Sequence, residues 1–438
     1  MLKNDPKIIN AWCMYDWANS VHALVIVSSI FPVYFSAAAM NASAGTGMVS
    51  FFGIAIKSSV LFSYTVSASF FLTALLIPLC TAIADFTGNK KRFMKFFCYL
   101  GAISCMLLFF FTKDTLNFSV LIFALSLVGW SGSIVFYDSY LPEIVTEDQY
   151  DRVSAKGFSM GYFGSVLLLL FNLSMVLAPS FYGISDKAMP ARISFFTVGV
   201  WWILFAQIPF RYLPSNHHGK KPVKNWLFNG FSELGKVYRE LRTQPYLAKF
   251  LLAFFVYTMG LRTVMYVATI FGATELKLPS QSLIITVLLI QLVGIAGSYL
   301  FAWISSQIGN IYALMIGVAI WIGICGGAYY TTEASEFYLV ACAVGMVMGG
   351  IQSLSRATYS KLIPENTLDT ASFFSFYDVT EKFAIVTGTF IYGAVEQLTG
   401  SMRNSILALL FIFVIGLILL SRIPSQKVYR FGLQTKTN

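Results

Sequence analysis

Apolar residues fall along this chain in about twelve blocks, each long enough to cross a bilayer, with short polar segments between them that hold most of the charge. The blocks predict helices over Ala11–Met40, Val60–Ile83, Phe93–Phe111, Phe118–Tyr137, Phe158–Ala178 and Ile193–Phe210. After a gap they resume over Tyr246–Phe271, Ile284–Ile304, Tyr312–Tyr330, Phe337–Leu354, Phe373–Val395 and Ile406–Leu420. The pattern predicts an all-α polytopic membrane protein with twelve transmembrane helices. The one long polar segment, Tyr212–Pro245, splits the helices six and six. It begins with the turn-rich LPSNHHGKKP and continues as NWLFNGFSELGKVYRELR, which has the alternation of an amphipathic helix lying on the inner leaflet. The expected organisation is an N-terminal half over 1–211, a cytoplasmic linker over 212–245, a C-terminal half over 246–422 and a tail over 423–438.

Composition narrows the class further. With 57% hydrophobic residues, 11% charged residues and a mean hydropathy of +0.70, the chain lacks the charge that a soluble surface of this size needs. No cleavable leader is expected, because Met1–Asn10 is polar and the apolar run behind it is too long for a signal peptide. The net charge of +10 does not point to nucleic acid here. If the N-terminus is cytoplasmic, about twenty-one Lys and Arg fall on the inside and about six outside, so both termini are expected in the cytoplasm with membrane lipids as partners. Cys13, Cys80, Cys98, Cys105, Cys325 and Cys342 lie in or beside spans without metal-like spacing, and His217 and His218 sit in the linker. No metal, cofactor or catalytic constellation is expected. The absence of a Walker-type loop argues against ATP-driven pumping.

The two halves carry a weak internal repeat. Ala84-Asp85-Phe86-Thr87-Gly88-Asn89 aligns with Ser305-Ser306-Gln307-Ile308-Gly309-Asn310, and Leu141-Pro142-Glu143 aligns with Ile363-Pro364-Glu365. Within PLCTAIADFTGNKKR, an acid is followed three residues later by Gly and then a basic run, which resembles the loop between the second and third helices of the major facilitator superfamily. Tyr15-Asp16-Trp17-Ala18-Asn19-Ser20, Leu141-Pro142-Glu143 with SAKGFSMGYFG, and the stretch Gly349–Lys382 together resemble the Atg22-like, or vacuole effluxer-like, family of that superfamily. The resemblance implies the major facilitator fold of two six-helix halves and a secondary transporter, with vacuolar members linked to amino-acid efflux. In the seventh helix, where the family pattern has an acid before Gly, this chain has Thr258-Met259-Gly260.

Charged and polar groups inside the spans are the candidate site, because each is costly there unless paired or functional. Asp16 and Asn19 share one face of the first helix with Ser20, while His22 points elsewhere. Asp16 is read either as a proton or cation carrier or as a lock to Asn19 or a neighbouring helix. Arg262 of the seventh helix needs a carboxylate, from Asp378 or Glu381 of the eleventh or from Asp16; a carboxylate-bearing solute is the alternative. Asp378 and Lys382 stand in the favourable i,i+4 order, which leaves Glu381 for Arg262. Gln352 and Arg356 share a face of the tenth helix with Ser355; Arg356 either snorkels to headgroups or locks two helices, and Gly349-Gly350 invites close backbone approach. In the first inside loop Asp85, Gly88 and Arg92 form a conformational latch, with Gly88 permitting the turn and Arg92 pairing across the halves.

The expected function is a monomeric, non-enzymatic carrier that moves a small polar solute such as an amino acid by alternating access, coupled to protons. A bacterial cytoplasmic membrane suits its compact loops. The competing class is a non-transporting lipid-binding or receptor-like protein of the same fold.

Overall fold

The computed structural model describes residues 3–43, 48–186, 188–215, 235–240, 242–364 and 367–424. The described residues are almost entirely helical. The helices are α1 (Pro6–Val21), α2 (Ile30–Ala42), α3 (Ser58–Thr87), α4 (Lys90–Leu107), α5 (Leu116–Asp138), the short α6 (Leu141–Ile144), α7 (Tyr150–Leu177) and α8 (Met189–Tyr212). They continue with α9 (Pro245–Thr274), α10 (Ser280–Ile308), α11 (Asn310–Tyr330), α12 (Ala334–Leu362), α13 (Thr370–Thr399) and α14 (Met402–Ser421). Eleven helical stretches among the described residues are long and apolar enough to cross a membrane. The twelfth, α13, is as long as the others but carries Asp378, Glu381 and Lys382 within it.

Every predicted block lies within a helix or adjoins one, and most helices run several residues further at one or both ends. Two local features go beyond the hydropathy pattern. The first span is not uniform: α1 passes into a π-helical stretch, His22–Ser29, before α2 resumes, and the Ile30 N–H bonds back to the Val25 carbonyl. Such wide turns concentrate at functional sites and hinges. A two-stranded hairpin, Met48–Phe51 against Ile54–Lys57, follows α2. Its turn holds Phe52 and Gly53 at φ of 47° and 87°, the positive pair that matches the twist of a tight hairpin.

The chain forms two compact units, one of residues 6–138 and 160–231, the other of 1–5, 139–159 and 232–438. In the first, Trp12, Tyr15, Phe31, Phe123, Tyr137 and Trp202 are fully buried. Small residues let its helices touch: a Cβ on Gly129 of α5 would lie 2.3 Å from the Gly101 nitrogen of α4, and one on Gly199 of α8 would lie 2.3 Å from the Ala102 carbonyl. In the second unit α10 and α12 meet in the same way. A Cβ on Gly349 would stand 2.3 Å from the Gly294 carbonyl, and one on Gly297 would stand 2.0 Å from that of Met346. Gly350 receives the ring of Phe301.

The linker's expected surface helix lies mostly outside the described residues, as do His217, His218, Glu365 and the tail beyond residue 424; within the linker, 235–240 and 242–243 are helical.

Candidate functional site

In the second unit, α9, α12 and α13 bring charges together inside the membrane-spanning region. Arg262 of α9 donates from Nε to Glu381 Oε1 of α13 at 2.7 Å, and its Nη2 bonds the same oxygen. Both side chains keep some accessibility, 23% for Arg262 and 21% for Glu381. Met265, one turn along α9, places its sulfur 3.6 Å from Arg262 Nη1 and 3.5 Å from Nε2 of Gln352 on α12. Arg262, which carries Glu381, and Gln352 therefore meet at the Met265 sulfur. Of the carboxylates considered for Arg262, Glu381 is the one it meets.

Asp378 and Lys382, on the same helix as Glu381, bond to each other and are almost fully buried. Asp378 spends only one oxygen in this way, and its Oδ2 is buried without a hydrogen-bond partner. Two cations and two anions thus lie along α9 and α13, the only balance a low-dielectric interior tolerates at modest cost. Aromatic rings hold the frame: Tyr377 stacks on Phe254 at 4.2 Å, and Tyr257 shares a 2.7 Å hydroxyl contact with Ser355.

Arg356 does not snorkel. It is 3% exposed, donates from Nε to Ser154 Oγ at 2.9 Å and from Nη2 to the Ser154 carbonyl at 3.0 Å, and lies 4.3 Å over the ring of Phe158. Ser154 Oγ in turn bonds the Ser353 carbonyl at 2.8 Å. Burial selects the lock, since a guanidinium removed from headgroups needs hydrogen-bond acceptors and a ring face instead.

Next to that lock is a residue that the sequence reading missed. Asp151, in the first turn of α7, accepts from Lys361 Nζ at 2.7 Å, Asn310 Nδ2 at 2.7 Å and Ser305 Oγ at 3.0 Å. Asn310 Oδ1 also accepts from Lys361 at 2.8 Å. Ser305 and Asn310 bracket the second-half loop that aligns with Asp85–Asn89, a loop without an acid of its own. Asp151 supplies it. The loop's missing acid was the available signal, but nothing in the local pattern pointed to Asp151.

In the first unit Asp16 is buried and accepts from the Tyr137 hydroxyl at 2.7 Å, while the Trp12 indole donates to the Tyr137 carbonyl at 3.0 Å and stacks on its ring at 4.5 Å. Asn19 does not meet Asp16 in this bonding: its amide turns back to the Tyr15 carbonyl at 2.9 Å. His22 bonds Ser126 Oγ at 3.1 Å and stacks on Trp130. In the inside loop Gly88 takes the left-handed conformation, φ 66°, that ends α3, as the turn requires. Asp85 meets Lys90 at 3.5 Å, both side chains buried. Of the residues expected to form the latch, Asp85 engages Lys90, while Arg92 is exposed and makes no ion pair among the described residues.

A family model described as "Vacuole effluxer Atg22 like" matches residues 4–151 and 147–430. The chain is 31% identical over 427 residues, 97% of each chain, to an uncharacterized MFS-type transporter, YxiO, of Bacillus subtilis (strain 168). It is 22% identical to autophagy-related protein 22-2 of Aspergillus niger, covering 88% of this chain and 79% of that one. Among solved structures it resembles the proton:xylose symporter XylE bound to 6-bromo-6-deoxy-D-glucose, with a TM-score of 0.70 at 12% identity and 96% coverage of both chains. At that identity the likeness is one of fold, the twelve-helix major facilitator fold.

Proposed function

Because this chain belongs to the vacuole effluxer Atg22-like family of the major facilitator superfamily, we propose that it is a secondary active transporter that moves a small polar solute, an amino acid, by alternating access. The observation that carries this reading is the Arg262–Glu381 pair beside Gln352, two opposite charges that remain partly accessible within membrane helices. A solute with a carboxylate and an ammonium group can exchange with both partners and leave neither charge bare. A solute with one charge cannot, and an orphaned charge in such a setting costs several kcal/mol.

Proton coupling is part of the same proposal. The buried Asp378, with one oxygen on Lys382 and the other unpartnered, supports it as the site that gains and loses a proton while Arg262 and Glu381 handle the solute. Asp85 with Lys90, and Asp151 with Lys361, Asn310 and Ser305, serve as latches that bias one state of the cycle over another. In this reading the protein works as a monomer, in two halves of 1–211 and 246–422, in a bacterial cytoplasmic membrane with both termini inside. It binds lipid but no nucleic acid and does no covalent chemistry.

Proteoliposome counterflow with a panel of labelled amino acids, organic acids and sugars tests the proposal. The expected result is exchange of one or more amino acids, lost in Arg262→Ala. The same solute at a hundred times its dissociation constant should stabilise the wild type by about 2.7 kcal/mol and the variant not at all. A well-folded wild-type protein that exchanges nothing in the panel would support the non-transporting, lipid-binding or receptor-like reading instead.

A further inference from the structure

The basic end of α4 and α8 carries charge that no acid among the described residues neutralises. Of the run Lys90-Lys91-Arg92, Lys90 is satisfied by Asp85. Lys91, Arg92 and Lys95 of α4 and Arg211 of α8 make no ion pair among the described residues. They are gathered at one place: Lys91 Nζ donates to the Leu213 carbonyl just past α8 at 2.7 Å, and Lys95 Nζ stands 5.4 Å over the ring of Phe210. Four like charges repel one another, and an anion carrying more than one acceptor oxygen would relieve that repulsion.

The surface running away from these cations is apolar. Below Arg92, at helical spacing on α4, come the exposed Phe96 and Ile103; below Arg211 on α8 come the exposed Ile208 and Leu204. Between the two stripes, the Tyr99 hydroxyl donates to Gln207 at 3.3 Å, so the α4–α8 seam is closed at this level. From Arg92 to Ile103 the helix rises about 16 Å at 1.5 Å per residue. That is about half the roughly 30 Å hydrocarbon thickness, the depth of one leaflet.

We propose that the end of α4 and α8 formed by Lys91, Arg92, Lys95 and Arg211 is a binding site for the headgroup of an anionic phospholipid, whose acyl chains lie on the apolar stripes of the two helices. Charge complementarity selects an anionic over a zwitterionic headgroup. The apolar stripes below the cations select a lipid over a free phosphate. A headgroup bridging α4 and α8 would also draw these two helices together at the end where α4 follows the Asp85–Lys90 contact.

The test uses the full-length protein, purified in detergent and exchanged into vesicles of phosphatidylcholine with or without phosphatidylglycerol or cardiolipin. Retained lipid is read by native mass spectrometry and stability by thermal unfolding. The wild type is expected to retain anionic lipid and to gain stability from it. Arg92→Gln/Lys95→Gln/Arg211→Gln is expected to bind it on the order of a hundredfold more weakly, at about 1 kcal/mol per cation near the surface. Lys57→Gln/Lys113→Gln, which removes two cations elsewhere, should bind as the wild type does. If the triple variant does not fold, the three single variants replace it, each expected to lose about fivefold. Equal retention by wild type and variants would overturn the proposal. So would equal stabilisation of the wild type by inorganic phosphate at the same concentration, which would make the site one for a free anion.

Discussion

At the scale of single residues, the polar groups inside the helices divide by how completely they are answered. Arg356 is enclosed by Ser154 and Phe158, and the buried Asp16 accepts from Tyr137. Arg262 and Glu381 are paired but accessible, and Asp378 has an oxygen to spare. The difference predicts different outcomes of mutation. Asp378→Ala leaves Lys382 buried without its anion and is expected to cost roughly 3–5 kcal/mol, read as a lowered unfolding temperature in detergent; Asp378→Ala/Lys382→Ala should recover most of that loss. Asp378→Asn also takes the anion from Lys382 but leaves it an amide oxygen to donate to, so a smaller loss of stability is expected, and the folded protein should still exchange solute but no longer accumulate it against a pH gradient. Accumulation unchanged in that variant would remove Asp378 from the coupling role.

At the scale of elements, close approach of backbones decides which helices can meet. Gly349 faces the Gly294 carbonyl on α10, where any side chain would collide with main chain and not with a yielding side chain. Gly349→Leu is therefore expected to separate α10 from α12 and to lower the unfolding temperature sharply, whereas Gly323→Ala, with open space around it, should leave that temperature unchanged. Asp151 ties the first turn of α7 to α10, α11 and α12 at once. Asp151→Ala deprives Lys361 and Asn310 of a shared acceptor, and a double-mutant cycle with Lys361→Ala is expected to show a coupling energy of about 0.5–3 kcal/mol. Additive effects of the two mutations would mean that the acid and the lysine do not work as a unit.

At the scale of the whole molecule, the chain is an integral membrane protein of the major facilitator fold, and its helices carry two kinds of polar contact with separate expected effects. Removing both members of the accessible pair together, Arg262→Ala/Glu381→Ala, leaves no charge orphaned and should change transport with little change in stability. Mutations in the enclosed contacts should change stability first, and transport only through the folded fraction. Measuring both quantities on Arg262→Ala/Glu381→Ala and on Arg356→Ala separates the two classes; equal loss of stability in both would erase the distinction.

The sequence by itself determined the membrane class, the positions of the helices, the family and the need of Arg262 for a carboxylate, with Glu381 left over by the Asp378–Lys382 spacing. These follow from properties carried within one segment or a pair of segments: the length of an apolar run, the spacing of charges on a helix, and the need of a guanidinium inside a membrane for a carboxylate. The tertiary structure decided what depends on which helix is brought against which. It turned Arg356 inward to Ser154, gave the acid-free loop its Asp151, put Lys90 on Asp85, and sent the Asn19 amide to its own backbone. The π-helical turn after α1 and the hairpin after α2 belong to the same group, since hydropathy does not distinguish a wide turn from a regular one. The contacts of Arg356 and Asp151 join residues far apart in the chain; those of Asp85 and Asn19 are local choices among several nearby partners, and the turns are backbone geometry; none leaves a periodic mark in the sequence.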